Sequence, residues 1–247
     1  MVVGPNRPPV GRRHRESKPP VTTLASRTLQ AVLIDMDGTL VDTEDFWWEA
    51  ESTLLAELGH PIGVEEREIV VGGPMSRVVD HLLKVSGAPL TPAALGHAIN
   101  DRFVELIGQG VPVRPGAKAL LADLAAQGVP AALVSASHRR IIDQVLKTLG
   151  AHYFGFTVAG DEVERTKPHP DPYLLAAARL GADPARCVVI EDAPTGVRSG
   201  QAAGCHVLAV PSVAAIEPGP RTTVRATLEG VDAALLRALL AGEPDLT

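Results

Sequence analysis

Gln30-Ala-Val-Leu-Ile-Asp-Met-Asp-Gly-Thr-Leu-Val-Asp-Thr43 is the stretch on which the reading of this chain turns. The apolar residues Ala31 to Ile34 lead into two carboxylates, Asp35 and Asp37, with one residue between them. Residues two apart in a strand point the same way, so both acids leave its carboxyl end on one face. Two like charges held that close are costly unless a cation or a shared proton relieves them. A buried strand ending in such a pair asks for Mg²⁺, for acid/base chemistry, or for both.

Downstream of this segment the chain alternates. Pro115-Gly116 opens a helix through Ala126, closed by Gly128; a strand follows over Pro130–Ser135, then a helix over His138–Leu149. A short strand near Phe156–Ala159, a helix over Pro172–Leu180 and a strand over Cys187–Ile190 come next. A helix over Thr195–Ala203, a strand over His206–Val210 and a last helix over Val231–Leu240 complete the series. Short apolar strands alternating with amphipathic helices predict an α/β fold, a doubly wound parallel sheet with helices on both faces. Residues 43–112 differ. Thr43 to Leu58 is helical in pattern, and Val78, Val79, Leu82 and Leu83, then Leu95, Ile99, Phe103 and Leu106, recur at helical spacing. The expected organisation is a core of residues 28–42 and 113–247, interrupted by a small all-helical insert over 43–112.

A chain of 247 residues can bury one substantial core with a smaller satellite. No apolar run approaches the roughly 18 residues needed to cross a bilayer. The N-terminus lacks the apolar segment of a secretory signal, so a cytoplasmic location is expected. Net charge is −6 but unevenly spread: residues 1–27 carry six basic side chains against Glu16. This Pro- and Arg-rich segment reads as a disordered basic tail, and the acidic remainder argues against a nucleic-acid-binding domain. Cys187 and Cys205 show neither metal-site nor redox spacing and read as buried free thiols.

Ligand sites in doubly wound sheets lie at the carboxyl ends of the strands. Here those ends supply Asp35 and Asp37, then Ser135-Ala136-Ser137 at a helix start, then Lys167 in a loop, then Glu191-Asp192. Asp35 and Asp192, with Glu191 near, form the hard oxygen set that Mg²⁺ prefers. A carboxylate can attack phosphorus, and Asp37 can protonate the leaving oxygen and then activate water. Gly38 permits a tight turn beside the phosphoryl group. Ser135 and the amides after it make an anion site at a helix N-terminus. Lys167 can bridge phosphate and the attacking acid. An EF-hand reading of Asp-x-Asp-Gly fails, because the glycine comes too early and a strand precedes it.

Asp35-Met-Asp37-Gly-Thr-Leu-Val-Asp, Ser135, Lys167-Pro-His-Pro and Glu191-Asp192-Ala-Pro-Thr-Gly196 occur in that order. Together they resemble the four motifs of the haloacid dehalogenase superfamily, over about residues 29–211. The resemblance implies a Rossmann-like core and a Mg²⁺-dependent phosphatase acting through an aspartyl-phosphate. It implies Asp35 as nucleophile and Asp37 as acid/base. Mg²⁺ would be held by Asp35, the main-chain carbonyl of Asp37 and Asp192, with Glu191 close by. Thr43, Ser135, Ala136, Ser137 and Lys167 would bind substrate. The helical insert resembles the cap of the phosphoglycolate phosphatase and β-phosphoglucomutase branch. The expected partner is a small phosphorylated metabolite, a sugar phosphate or phosphoglycolate-like acid, and the expected state is monomer or homodimer.

Two departures stand out. Ala193 replaces the serine that often follows the Glu-Asp pair, removing one hydroxyl near the site. Trp47 stands where β-phosphoglucomutases resemble one another in a histidine, which favours hydrolysis over the alternative, a sugar phosphomutase. Phe46, Trp47 and Trp48 are expected mainly to pack the insert, the alternative being that one of them faces the substrate. Met75 and Arg77 are candidates for the far end of the substrate, and His138 and His169 for supporting positions.

Overall fold

The computed structural model describes Met1 and residues 28–71 and 75–242; the basic tail expected over residues 1–27, apart from Met1, and Gly72-Gly73-Pro74 lie outside the described residues. Six parallel strands form one sheet: β1 (Ala31–Ile34), β2 (Ala131–Val134), β3 (Phe156–Val158), β4 (Cys187–Glu191), β5 (His206–Ala209) and β6 (Thr222–Val224). Their order is β3-β2-β1-β4-β5-β6. The chain therefore winds to one side of β1 and then to the other, placing the reversal of strand order at β1.

Alternation along the strands sorts the core into two faces. Val32 and Ile34 of β1, Leu133 of β2 and Val188 and Ile190 of β4 belong to one apolar cluster. Ala31 and Leu33, Ala132 and Val134, and Cys187 and Val189 belong to the other. Period-2 splitting of continuously apolar strands is what a sheet buried on both faces requires. One face is covered by α5 (Ala117–Ala126), α6 (Arg139–Leu149) and α9 (Ala233–Ala241), the other by α7 (Asp171–Arg179) and α8 (Pro194–Ala202). Cys187 and Cys205 are buried free thiols within the second cluster, as their spacing predicts.

Between β1 and α5 the described residues contain helices and turns: α1 (Glu44–Glu57), the short α2 (Arg67–Val70), α3 (Met75–Ser86) and α4 (Pro92–Leu106). Leu55, Leu82, Leu95 and Phe103 make their interior, continuous with the first cluster. Trp47 of α1 stacks on Phe103 of α4 with ring centroids 3.7 Å apart. Thr91 caps α4 by accepting from the Ala94 amide, and Pro92 follows at its first position. The segments leaving and re-entering the sheet lie side by side: the Asp42 amide donates to Pro112 O at 2.9 Å, and the Arg114 amide to Leu40 O at 2.9 Å.

The helices and strands expected from sequence are present, each with ends shifted by a residue or two. β6 is an addition. Its three residues, Thr222–Val224, make too short a run to stand out after the Pro-rich segment that precedes them, and pairing with β5 creates the strand. No helix is long and apolar enough to cross a membrane among the described residues.

Candidate active site

The register of β1 against β4 pairs Ile34 with Ile190, so Asp35 emerges beside Glu191 and Asp192. The Asp35 amide extends this ladder by donating to Ile190 O at 3.0 Å. On the other side Ser135 leaves β2, its amide bonded to Val158 O at 3.0 Å. Lys167 arrives from the loop between β3 and α7. Four segments far apart in sequence thus deliver their polar groups to one edge.

Carboxylate oxygens of Asp35, Glu191 and Asp192 all lie within 4.8 Å of one another, and all three residues are buried. Lys167 Nζ donates to Asp35 Oδ1 at 2.5 Å, Glu191 Oε1 at 2.6 Å and Val134 O at 2.9 Å. These use all three ammonium protons, on a side chain only 7% exposed. Glu191 is equally committed. Its Oε1 also accepts from Tyr173 Oη at 2.7 Å, and its Oε2 accepts from the amides of Asp192 and Ala193 at 3.1 and 3.3 Å. Gly196 makes room for this carboxylate, since a Cβ there would fall 1.7 Å from Glu191 Oε1. Asp35 Oδ2, by contrast, is sealed from solvent and has no hydrogen-bond partner.

Three carboxylates share one ammonium, and the titration behaviour follows. Burial pushes Asp35 well above the usual carboxylate range; Lys167 opposes this, while Glu191, Asp192 and Asp37 reinforce it. Burial and Glu191 push Asp192 up to about 7, against hydrogen bonding from Ser212 and the charge of Lys167. Desolvation works against the Lys167 ammonium, but Asp35 and Glu191 outweigh it and hold the pKa above normal. Residual negative charge and an unbonded buried oxygen are what a divalent cation relieves, and this all-oxygen donor set fits a hard divalent cation.

Asp37 faces a different set. Its Oδ1 accepts from Thr43 Oγ1 at 2.8 Å, and its Oδ2 from Ser135 Oγ at 3.1 Å and Ser137 Oγ at 2.8 Å. Ser137 also donates its amide to Ser135 Oγ at 3.0 Å. Asp35, Asp37, Ser135, Ala136, Ser137, Lys167, Glu191 and Asp192 all line one cleft. Thr43 does not. It is fully buried, and its hydroxyl is engaged by Asp37 rather than offered to a ligand. Arg77 does not line the cleft either: it donates to Ile69 O at 3.1 Å, whereas Met75 is on the wall. His138 lines the cleft with Nδ1 3.4 Å from Asp161, and the His169 carbonyl accepts from Ser199 Oγ.

Several contributors are not signalled by the motifs. Ser212, after β5, donates to Asp192 Oδ2, supplying a hydroxyl from another element where Ala193 has none. Thr39, which does lie inside the first motif, places Oγ1 3.5 Å from Asp192 Oδ1. Tyr173 holds Glu191, and Glu51 and Asn100 reach the cleft from α1 and α4. Tyr173, Glu51 and Asn100 sit at ordinary helical positions, where sequence spacing reads a polar residue as solvated.

Residues 32–210 match the family model described as haloacid dehalogenase-like hydrolase. The chain is 32% identical over 183 residues to "Fructose-1-phosphate phosphatase YqaB" of Escherichia coli, covering 72% of this chain and 95% of that protein. It is 36% identical over 179 residues to "Hexitol phosphatase A" of the same organism, covering 72% and 81%. Among solved structures, CbbY from Rhodobacter sphaeroides in complex with xylulose-(1,5)bisphosphate superposes with a TM-score of 0.72 at 27% identity, covering 84% of this chain and 98% of that one. With a matching family model over most of its length and relatives above 30% identity, this chain belongs to the haloacid dehalogenase-like hydrolases.

Proposed function

We propose that this hydrolase is a Mg²⁺-dependent phosphatase that cleaves a small sugar or sugar-alcohol phosphomonoester through an aspartyl-phosphate on Asp35. The observation that carries it is the convergence of Asp35 and Asp192, from two adjacent strands, around the unpaired Asp35 Oδ2, with Lys167 fixed on the other Asp35 oxygen. The relatives named as fructose-1-phosphate and hexitol phosphatases support the substrate class.

Asp35, Asp192 and the Asp37 carbonyl would hold the cation. Glu191 would serve as their support, because all of its acceptor positions are already engaged by protein donors. A bound Mg²⁺ would supply the positive charge that lets a carboxylate approach a phosphate dianion. Asp35 attacks phosphorus, the bond from phosphorus to the substrate oxygen breaks, and Asp37 gives that oxygen its proton. Water then attacks the aspartyl-phosphate, Asp37 accepts its proton, and inorganic phosphate leaves. Ser135, Ala136 and Ser137 flank the phosphoryl position beside the start of α6. The three hydroxyls on Asp37 hold its carboxyl in place for both proton transfers.

Residues 43–112 would act as a cap moving on the paired segments around residues 40–42 and 112–114, admitting substrate and excluding water. The mutase alternative is disfavoured by Trp47, whose ring packs on Phe103 and offers no acid/base group. The decisive experiment is phosphate release from a panel of phosphomonoesters with Mg²⁺, comparing wild type with Asp35→Asn. Turnover should vanish in the variant while the fold persists. Retained activity in Asp35→Asn, or isomerised sugar phosphate without free phosphate from wild type, overturns the reading.

A further inference from the structure

The cleft that ends on Asp35 and Asp37 has a second polar feature. Glu51 of α1 and Asn100 of α4 line it, and each is nearly buried, at 4% and 3% exposure. A carboxyl and an amide placed in an apolar helix interface are costly unless hydrogen bonds repay the lost water. Among the described residues no hydrogen bond engages either side chain. Their polar atoms are not sealed as Asp35 Oδ2 is, and both residues line the cleft. The Trp47–Phe103 stack ties α1 to α4 and fixes the wall that carries both groups.

The ionisable groups that α1 brings to this wall, Glu44 and Glu51, are both acids. Glu44 lines the cleft and acts electrostatically on both Glu51 and Asp192. Among the described residues lining the cleft, the permanent cation is Lys167, whose three protons are already committed. His138 leans on Asp161 instead. An anionic group at the end of the substrate remote from its phosphoryl group would leave water and find no positive partner there among the described residues.

We propose that Glu51 and Asn100 form a hydroxyl-binding subsite that selects phosphomonoesters of uncharged polyols and rejects those carrying a second phosphate or a carboxylate. This rests on the phosphatase reading above and narrows its substrate class. Burial and the nearby Glu44 carboxylate push the Glu51 carboxyl up to about 8, so near neutral pH it both donates and accepts, as the Asn100 amide does. Such a pair suits neighbouring hydroxyls. A bisphosphate of the kind bound in the CbbY relative is, on this inference, a poor substrate here.

The test compares kcat/KM, with Mg²⁺ present, for sorbitol 6-phosphate, fructose 1,6-bisphosphate, phosphoglycolate and p-nitrophenyl phosphate. Wild type should favour sorbitol 6-phosphate over the bisphosphate and phosphoglycolate by roughly tenfold or more, as expected where a buried polar group gains or lacks its partner. Asn100→Leu should lower the ratio of sorbitol 6-phosphate to p-nitrophenyl phosphate by about tenfold, mainly through KM, the loss of one such hydrogen bond. Glu51→Leu, which removes the paired donor and acceptor, should likewise lower the ratio of sorbitol 6-phosphate to p-nitrophenyl phosphate by about tenfold. Wild type that cleaves p-nitrophenyl phosphate yet treats charged and uncharged leaving groups alike overturns the subsite and leaves the phosphatase reading standing. Variants that keep the wild-type ratios also overturn it. Absence of hydrolysis from all four compounds overturns the phosphatase reading itself.

Discussion

At the scale of single residues, the site is defined by which acceptors are satisfied and which is not. Among the described residues Lys167 is the ammonium beside three buried carboxylates, and it binds two of them directly. Lys167→Gln should therefore lower stability by about 3–5 kcal/mol, the usual consequence of leaving a buried charge unpaired. Chemical denaturation of the Mg²⁺-free protein measures this; a change under 1 kcal/mol would mean the carboxylates are not ionised together. Gly38 is a second sensitive point. Its φ is +75°, and a Cβ would stand 2.0 Å from Asp192 Oδ2 and 2.9 Å from Ser212 Oγ. Gly38→Ala should be destabilising by about 1–3 kcal/mol and should displace Asp192 as well. Activity should fall more than stability alone explains, read as a rise in the Mg²⁺ concentration needed for half-maximal turnover. The motif order made Asp35, Asp37, Lys167 and Asp192 visible in sequence. Ser212 and Tyr173 were not visible, because an isolated hydroxyl has no spacing signature and its partner lies on another strand.

At the scale of elements, α1 combines a packing face with a polar one. Trp47 stacks on Phe103 and is partly buried, so Trp47→Ala should cost about 1–3 kcal/mol by removing apolar contact between α1 and α4. A melting temperature within a degree or two of wild type would show that the stack does not support the insert. Glu51 gives this helix a pH dependence whose sign is fixed. Its carboxyl ionises near 4.5 in the open chain and near 8 in the folded one, because burial and the nearby Glu44 disfavour its charge. Below the first value it is protonated in both states and contributes nothing. As pH rises from about 4.5 to 8, the unfolded chain releases the proton first, so the folded state loses stability. Glu51→Gln should flatten the fall of melting temperature across that window in the Mg²⁺-free protein. An unchanged slope would show that Glu51 ionises normally. Helical periodicity located α1, α3 and α4, since their apolar spacing is strong. It could not orient Glu51 or Asn100, because a polar residue inside a helix reads as solvated until its neighbours are known.

For the whole molecule, the sheet reversal at β1 brings carboxylate oxygens of Asp35, Glu191 and Asp192 within 4.8 Å of one another, and ligand binding there should be felt globally. Anything that binds only the folded state stabilises it by mass action, about 2.7 kcal/mol at a hundredfold excess over Kd. Millimolar Mg²⁺ should thus raise the melting temperature by several degrees, as read by differential scanning calorimetry, and Asp192→Asn should remove most of that rise. Equal shifts in wild type and variant would place the cation elsewhere. Sequence alone determined the class of fold, because strands buried on both faces must be continuously apolar and their helices amphipathic, a pattern local enough to read along the chain. It also marked Asp35, Asp37, Glu191 and Asp192, which the fold gathers in one cleft, since those sit where strands end. Tertiary structure alone decided how their hydrogen bonds are distributed: Glu191 saturated, Asp35 Oδ2 orphaned, Thr43 withdrawn behind Asp37, and Glu51 turned with Asn100 into the cleft. The reason is physical. Spacing along a strand or helix fixes the face on which a side chain starts, but its partners come from segments a hundred or more residues away, and only their packing brings donor and acceptor within reach.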